Sequence, residues 1–94
     1  MDESKLSDAA LAELLTLTVD ADEYATIYRN HLGQFHRVHG PAVILVHGGR
    51  RWYQNGRLHS TDGPAIENDN GAGHWCLDGL IVTKEEWNER TQSL

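Results

Sequence analysis

Five of the six histidines in this 94-residue chain lie between positions 31 and 59, which raises the question of metal binding. The closest pair is His36 and His39, three residues apart. Side chains at this spacing on a strand point to opposite faces, and a zinc site needs three or four ligands. The one cysteine, Cys76, lies far from both in the sequence. We therefore expect structural histidines that brace turns through a ring N–H, and no metal site.

Catalytic motifs are also missing from the sequence. It contains no Gly-x-Ser-x-Gly, no His-Glu-x-x-His and no phosphate-binding loop. The glycines fall at predicted turns, and Asp62 and Asp78 suit turns for the same reason. We predict no catalytic residue and no cofactor, and we do not expect an enzyme.

Binding chemistry is better represented, at one predicted hairpin tip. Arg50 and Arg51 follow a Gly-Gly pair and precede Trp52 and Tyr53. Arginine beside exposed aromatic rings is typical of protein–protein hot spots, and also of platforms that bind single-stranded nucleic acid. The alternative is that Trp52 and its neighbours belong to the hydrophobic core. This tip is therefore one candidate binding site.

Charge divides the chain into three blocks. Residues 1–25 carry a formal charge of −6, residues 26–60 carry +5 and residues 61–94 carry −5, so the net charge is −6. Acidic ends packed near a basic middle would offset its charge within the monomer. The other interpretation is a patch for an anionic ligand. We favour the first, because runs of surface charge are usually solvated.

A sequence block recurs at an offset of 23 residues. Residues 33–42 match residues 56–65, and residues 75–79 match residues 52–56, which places Arg29 at the position of Trp52. A fixed period of this length is typical of repeat proteins, in which no unit buries its apolar face alone. Asn55 and Gly56 suit the two positive-φ positions of a type I′ turn. Each repeat is therefore predicted to be a β-hairpin.

The block Trp-Tyr-x-Asn-Gly-x-x-His-x-x-x-Gly-Pro-Ala at residues 52–65 resembles the divergent MORN-like repeats of bacteriophages and large viruses. Such chains often close with a Trp-x-x-Asp/Asn-Gly turn, one strand and an acidic helix, and residues 75–92 follow that plan. The resemblance covers residues 27–90. It departs from the family in lacking the Tyr-x-Gly opening and in having Leu32 at the Asn/Asp position. It implies a twisted sheet of hairpins used for binding, and no particular chemistry.

Helices are predicted at both ends. Residues 7–17 suit a helix that Ser7 caps and whose stripe of Leu11, Leu14 and Leu15 covers one face of the sheet. Residues 83–86 form a capping box, so a second helix should follow with Trp87 as its apolar anchor. Residues 19–23 are predicted as a turn or a short helix. Strands are expected at residues 24–28, 34–37, 42–46, 50–54, 64–68, 74–77 and 80–82.

The strand at residues 42–46 is apolar on both alternating faces, so both faces should be covered. If the N-terminal helix covers one face, then the other needs either the C-terminal helix or a second subunit. A homodimer is therefore one of the two solutions that the pattern allows.

We predict one α+β domain: an N-terminal helix, an antiparallel meander sheet of 23-residue β-hairpin repeats and a short C-terminal helix. The helical segment spans residues 1–25, the MORN-like hairpin repeats residues 26–83 and the last helix residues 84–94. No stretch approaches the roughly 20 apolar residues of a membrane span, and one cysteine allows no internal disulfide. The expected location is the cytoplasm, that of the host cell if the protein is viral.

The first functional hypothesis is a small phage-type interaction module that binds and inhibits a host protein, such as an anti-CRISPR-like counter-defence protein acting on a nucleic-acid-handling or defence complex. One alternative is a nucleic-acid-binding module that uses the basic central sheet. Another is a structural or virion accessory protein. The predicted partner-binding residues form an arginine set (Arg50, Arg51, Tyr53 and Arg57) and an acidic set (Asp20, Asp22, Glu23, Glu85, Glu86 and Glu89).

Overall fold

The computed structural model describes residues 7–92, and within that range the chain is an α+β fold with an antiparallel meander sheet, as predicted. Seven strands form one sheet in the order β1-β2-β3-β4-β7-β8-β9, and β5 pairs with β6 separately. No helix in the described range is long and apolar enough to cross a membrane. The elements are α1 (Asp8–Leu14), β1 (Thr18–Ala21), β2 (Ala25–Arg29), β3 (Val43–Leu45), β4 (Arg50–Arg51), β5 (Tyr53–Gln54), β6 (Arg57–Leu58), β7 (Ile66–Glu67), β8 (Gly73–Leu77), β9 (Leu80–Val82) and α2 (Lys84–Gln92).

The meander sends the connections between strands to two opposite ends of the sheet. At one end, which we call the turn end, lie residues 22–24, 46–49 and 68–72, which join β1 to β2, β3 to β4 and β7 to β8. At the other end, the tip end, lie the hairpin turns at residues 30–33, 55–56 and 78–79. The two ends are thus built from different parts of each repeat.

The hairpin turns at the tip end have the predicted conformation. Asn55 and Gly56 have φ values of 53° and 82°, and Asp78 and Gly79 have φ values of 50° and 88°. Positive φ at both central residues defines the type I′ turn, whose twist matches that of the flanking strands. Asparagine, aspartate and glycine tolerate this conformation best, so the residue types explain the turns.

Backbone hydrogen bonds repeat at the same 23-residue spacing. The Gly56 N–H donates to the Phe35 carbonyl at 2.9 Å, and the Gly79 N–H donates to the Leu58 carbonyl at 2.8 Å. Each hairpin therefore docks its turn onto the outer edge of the hairpin before it. We call these two junctions the first and second seams.

The residue equivalent to Trp52 in the first repeat is Tyr28, so the prediction of Arg29 was wrong. The Tyr28 N–H donates to the Ala42 carbonyl and the Trp52 N–H donates to the Ala65 carbonyl, both at 2.8 Å. The offset is 24 residues before the hairpin turn and 23 after it. The first turn is one residue longer, and a constant offset could not show this.

The first helix covers much less of the sheet than expected. It is shorter than predicted, although Ser7 caps it through a bond from the Ala10 N–H to Ser7 Oγ at 3.1 Å. Ala10 is its one buried residue, whereas Leu11 is exposed and Leu15 is 88% exposed. The prediction that a leucine stripe seals one face of the sheet was wrong.

A carboxylate holds this helix in place instead. Glu13 Oε2 accepts the Val38 N–H at 2.6 Å, and Glu13 Oε1 accepts the His39 N–H at 2.9 Å. Two charge-assisted hydrogen bonds from consecutive backbone amides fix the helix against the loop that follows Phe35. His36 Nε2 lies 3.9 Å from the same carboxylate.

Residues 19–23 do not form a turn or a helix as predicted, because Thr18–Ala21 forms the edge strand β1. Its register on β2 runs from Thr18 opposite Arg29 to Ala21 opposite Thr26. Asp22 then reverses the chain, since its Oδ1 accepts the N–H groups two and three residues later at 2.7 and 2.9 Å. A predicted strand at residues 34–37 is reduced to a single bridge between Phe35 and Arg29.

The core is narrow and runs along the middle of the sheet. Ala42, Ala65 and Cys76 are fully buried, while Val43 is the one buried residue of β3. The rest of β3 is half-buried and the strand ends at Leu45, so the predicted coverage of both faces of residues 42–46 is only partial. Small side chains at the repeated Pro-Ala positions let neighbouring hairpins pack closely.

The second helix closes the last repeat. The Glu86 N–H donates to Thr83 Oγ1 at 3.1 Å, which is the predicted cap. The Trp87 ring lies 4.5 Å from that of Trp75, centroid to centroid, and Trp87 Nε1 donates to the buried Ser60 carbonyl at 2.7 Å. Trp87 is thus the predicted anchor. Helix α2 ends at Gln92, and the last two residues of the predicted helix lie outside the described range.

Candidate partner-binding surface

The two histidines at equivalent repeat positions reinforce the seams. His36 Nδ1 accepts the Asn55 N–H at 2.9 Å, and His59 Nδ1 accepts the Asp78 N–H at 3.0 Å. The prediction that these histidines brace a turn is confirmed, but the predicted chemistry was wrong: the ring accepts a hydrogen bond instead of donating one. A free ring lone pair on Nδ1 is therefore what these positions require.

Metal and thiol chemistry find no support in the geometry. Within residues 7–92, no three His, Cys, Asp or Glu side chains are grouped so that they could hold a metal ion. Cys76 is fully buried, and this burial raises the pKa of its thiol. Its sulfur lies 3.9 Å from the His74 carbonyl oxygen. The thiol is a packed side chain of the core.

The first half of the arginine set lies next to the turn end and makes internal contacts. Arg50 Nη2 lies 2.7 Å from Glu67 Oε1, and its guanidinium lies 5.7 Å from the centroid of the Trp52 ring. Arg51 donates from Nη1 to the Glu67 carbonyl at 3.1 Å and from Nη2 to Asn68 Oδ1 at 3.2 Å. Arg51 therefore holds β4 to the chain that leaves β7.

The second half of the arginine set lies toward the tip end. The half-buried Tyr53 ring packs edge-on against Phe35, with 5.2 Å between the ring centroids. Arg57 is exposed and lies beside the turn at Gly79. The four predicted residues therefore do not form one surface, because the strand between the two ends separates them.

The acidic set is divided as well. Asp20 on β1 pairs with Arg29 at 3.4 Å. Asp22 and Glu23 lie at the turn end, where the backbone hydrogen bonds from the two amides after Glu23 lower the pKa of the Asp22 carboxyl. The remaining three acids lie on α2, away from the turn end: Glu85, Glu86 and Glu89.

Two exposed apolar residues at the turn end were not predicted as binding residues. Tyr24 is 68% exposed and Val46 is 61% exposed, and the Val46 N–H donates to the Tyr24 carbonyl at 2.8 Å. They flank a cleft of about 320 Å³ whose other walls include His47, Arg51 and Asp69. We call these five residues the turn-end surface. The Gly-Gly turn was the available signal, because it leaves the last apolar residue of the run outside the sheet.

A second cleft lies on the other side of the same turn. It has a volume of about 560 Å³ and is lined by Arg50, Glu67 and Trp75, and it shares Asp69 with the first cleft. The Arg50–Glu67 ion pair makes this wall polar. The turn end therefore combines an apolar entrance on one side with a charged one on the other.

No family model, no curated protein and no solved structure matches this chain. The resemblance to MORN-like repeats stays a prediction that rests on the residues of the repeat block. The functional interpretation consequently depends on the geometry of the two ends of the sheet.

Proposed function

We propose that this chain is a small protein-interaction module that binds a host protein through the turn-end surface and inhibits it by occlusion. The observation that carries the proposal is the pair Tyr24 and Val46, largely exposed on either side of the cleft of about 320 Å³. Clefts lined by apolar and aromatic side chains with a few polar groups are typical binding sites. Tyrosine and arginine are also the residue types enriched in interface hot spots.

The backbone under these side chains is held by hydrogen bonds, which lowers the entropic cost of binding. The Tyr24 N–H donates to Asp22 Oδ1 at 2.7 Å, and the Tyr24 carbonyl accepts the Val46 N–H at 2.8 Å. Side chains on such a preorganised backbone lose less freedom when a partner binds. The rim is charged: Asp22 and Glu23 are exposed on one side and Asp69 on the other.

Charge at the rim would favour a partner with a basic patch around an apolar protrusion. Complementary charges steer association and exclude wrong partners more than they add affinity. A protein that handles nucleic acid offers such basic patches. This agrees with the more specific form of the proposal, in which the partner is a host nucleic-acid-handling or defence complex and the module is a phage counter-defence protein acting in the host cytoplasm.

The nucleic-acid alternative receives less support from the contacts of the arginines. Arg29, Arg50 and Arg51 each bond to acidic side chains or backbone carbonyls, and Arg37 lies over the Tyr28 ring at 4.2 Å. Arg57 is exposed and makes no such contact among the described residues. Filter binding at two salt concentrations would test this alternative, with a slope near −0.7 per neutralised phosphate on a single strand.

The experiment is affinity capture from a bacterial host lysate with quantitative mass spectrometry. The test variant is Tyr24→Ser/Val46→Ser, and the matched control is Leu11→Ser/Leu15→Ser, which changes two exposed apolar side chains of α1. We expect wild type and control to capture one host protein in near-stoichiometric amount. The test variant should retain less than about a tenth of it, since hot-spot truncations cost about 2 kcal/mol or more each.

Retention of the partner by the turn-end variant would contradict the proposal. So would loss of the partner by the α1 control alone, because that result places the site on the helix. Substitution of Arg51 is unsuitable for this test, since Arg51 bonds to the Glu67 carbonyl and its loss would disturb the sheet. A purified protein that captures nothing from several hosts would leave the structural or virion accessory role as the better account.

A further inference from the structure

Each seam between repeats uses two acceptors on the outer edge of a hairpin. In the first seam, Asn55 and Gly56 donate consecutive N–H groups to His36 Nδ1 and to the Phe35 carbonyl, both at 2.9 Å. The second seam repeats this pair of bonds 23 residues further along, with distances of 3.0 and 2.8 Å. The outer edge of a hairpin in this protein is therefore built to receive another backbone.

The third hairpin has the same outer edge but no following repeat within the described residues. Ile81 and Val82 of β9 are equivalent to Leu58 and His59. The chain then enters α2, which packs Trp87 back onto the last repeat. Leu80 and Ile81 are 62% and 65% exposed, so the side chains of this edge face solvent.

The backbone of Ile81 points outward for pairing. Leu77 and Leu80 flank the two-residue turn, so they form the hydrogen-bonded pair, and the next pair, Cys76 with Ile81, is not hydrogen-bonded. The Ile81 N–H and carbonyl therefore face away from β8. Leu58 confirms this geometry in the previous repeat, since its carbonyl accepts the N–H of the next turn.

The two edges of the seven-stranded sheet differ in how they are protected. The edge strand β1 carries Asp20, which is ion-paired with Arg29, and β1 ends at the tight turn at Asp22. The edge strand β9 consists of leucine, isoleucine and valine, with no charge, proline or bulge. Natural proteins usually block exposed strand edges with such features, so an unblocked apolar edge indicates a pairing surface.

We infer that two copies of this chain pair through β9 in antiparallel fashion, around a two-fold axis at Ile81. In this register the two Ile81 residues exchange two N–H···O=C bonds, and Leu80 lies opposite Val82 of the second copy. Such a dimer extends the sheet across both chains and covers the exposed side chains of both β9 strands.

Charge complementarity selects a second copy as the occupant. Continuing the same register places Lys84 of each chain next to Asp78 of the other. The Asp78 side chain is 71% exposed, and Lys84 is also exposed. The two-fold axis forms this ion pair twice, and no other edge in the described chain presents both partners of such a pair at the required spacing.

The experiment measures mass by multi-angle light scattering at high micromolar protein concentration. Wild type should have twice the 10.6 kDa mass of one chain. Ile81→Lys should have the mass of one chain, because two lysines would face each other on the axis. Val19→Lys, the same exposed substitution on the opposite edge strand β1, should remain a dimer. Far-ultraviolet circular dichroism would check that each variant is folded.

A wild-type mass of one chain at that concentration would overturn the inference. Dissociation by Val19→Lys would also overturn it, since that result indicates head-to-tail pairing of β1 with β9. A second pair of variants tests the register. Lys84→Glu should weaken dimerisation at least several-fold, whereas Arg90→Glu, the same charge change on the same helix, should not. Equal effects would show general repulsion and contradict the proposed ion pair.

Discussion

The tip end and the turn end of this sheet use similar residues for different purposes. At the tip end, turn amides are bonded to His36 and His59, and an aromatic pair closes the last repeat. At the turn end, Tyr24 and Val46 project into solvent around an open cleft. Residues with reactive side chains are thus occupied in holding the fold together, whereas the best candidate surface for a partner consists of residues with little chemistry of their own.

This difference explains why a histidine-rich, arginine-rich sequence is a poor guide to function here. A buried or half-buried polar group must find a partner, so residues that look catalytic are often used to satisfy the backbone. A small domain with a narrow core has few other means of joining its repeats. Substitutions at the tip end should consequently affect stability, and substitutions at the turn end should affect binding.

The largest effect on stability is expected at Trp87. Trp87→Ala removes the ring that packs on Trp75 and the donor to the Ser60 carbonyl, so the free energy of unfolding should fall by about 3–5 kcal/mol. Trp87→Phe keeps a ring but leaves that carbonyl without its donor, at a cost of about 1–3 kcal/mol. Urea denaturation would measure both. Equal stability of Trp87→Phe and wild type would show that the indole N–H contributes nothing.

A smaller loss is expected at the seams. His59→Ala leaves the Asp78 N–H without an acceptor, so the free energy of unfolding should fall by about 1–3 kcal/mol. His59→Asn should restore most of this loss, because the asparagine Oδ1 can accept from the same N–H. His47→Ala at the turn end is the matched control and should change stability by less than about 0.5 kcal/mol. If His47→Ala costs as much as His59→Ala, the two ends do not differ as described.

The smallest effect should appear at the turn end as a dependence on pH. The pKa of Asp22 is lowered from its usual 3.8 by hydrogen bonds from the Tyr24 and Ala25 amides. Its ionised form therefore stabilises the fold above that pH, and this contribution is lost as the pH falls through the lowered pKa. Asp22→Asn keeps an acceptor without the charge. The difference in thermal midpoint between wild type and Asp22→Asn should be present at neutral pH and vanish below about pH 3. A difference that is unchanged by pH would contradict this role.

Local patterns predicted the hairpins and the last helix well. Asn55 and Gly56 specify a turn that few other pairs adopt, and Thr83 with Trp87 specifies a capped, anchored helix. These features depend on residues close in sequence, which is why the pattern alone was sufficient. The repeat spacing also predicted that His36 and His59 share one role.

Contacts between distant segments were not predictable in the same way. β1 forms because β2 offers an edge to pair with, and the two acids in residues 19–23 disguised it as a turn. Glu13 holds α1 through amides about 25 residues away, which no helical pattern reveals. The turn-end surface depends on which turns the sheet order brings together, so its members could not be selected before the topology was known.

Amide hydrogen exchange, followed residue by residue by NMR, tests the contrast between the two ends most directly. The amides of Asn55, Gly56, Asp78 and Gly79 should exchange slowly, since each donates across a seam and opens only when neighbouring repeats separate. The amides of Glu23, His47 and Asn70, on exposed residues of the turn end, should exchange at nearly the rate of an unstructured peptide. Rapid exchange at both ends would contradict the conclusion that the tip end holds the repeats together and leaves the turn end free for a partner.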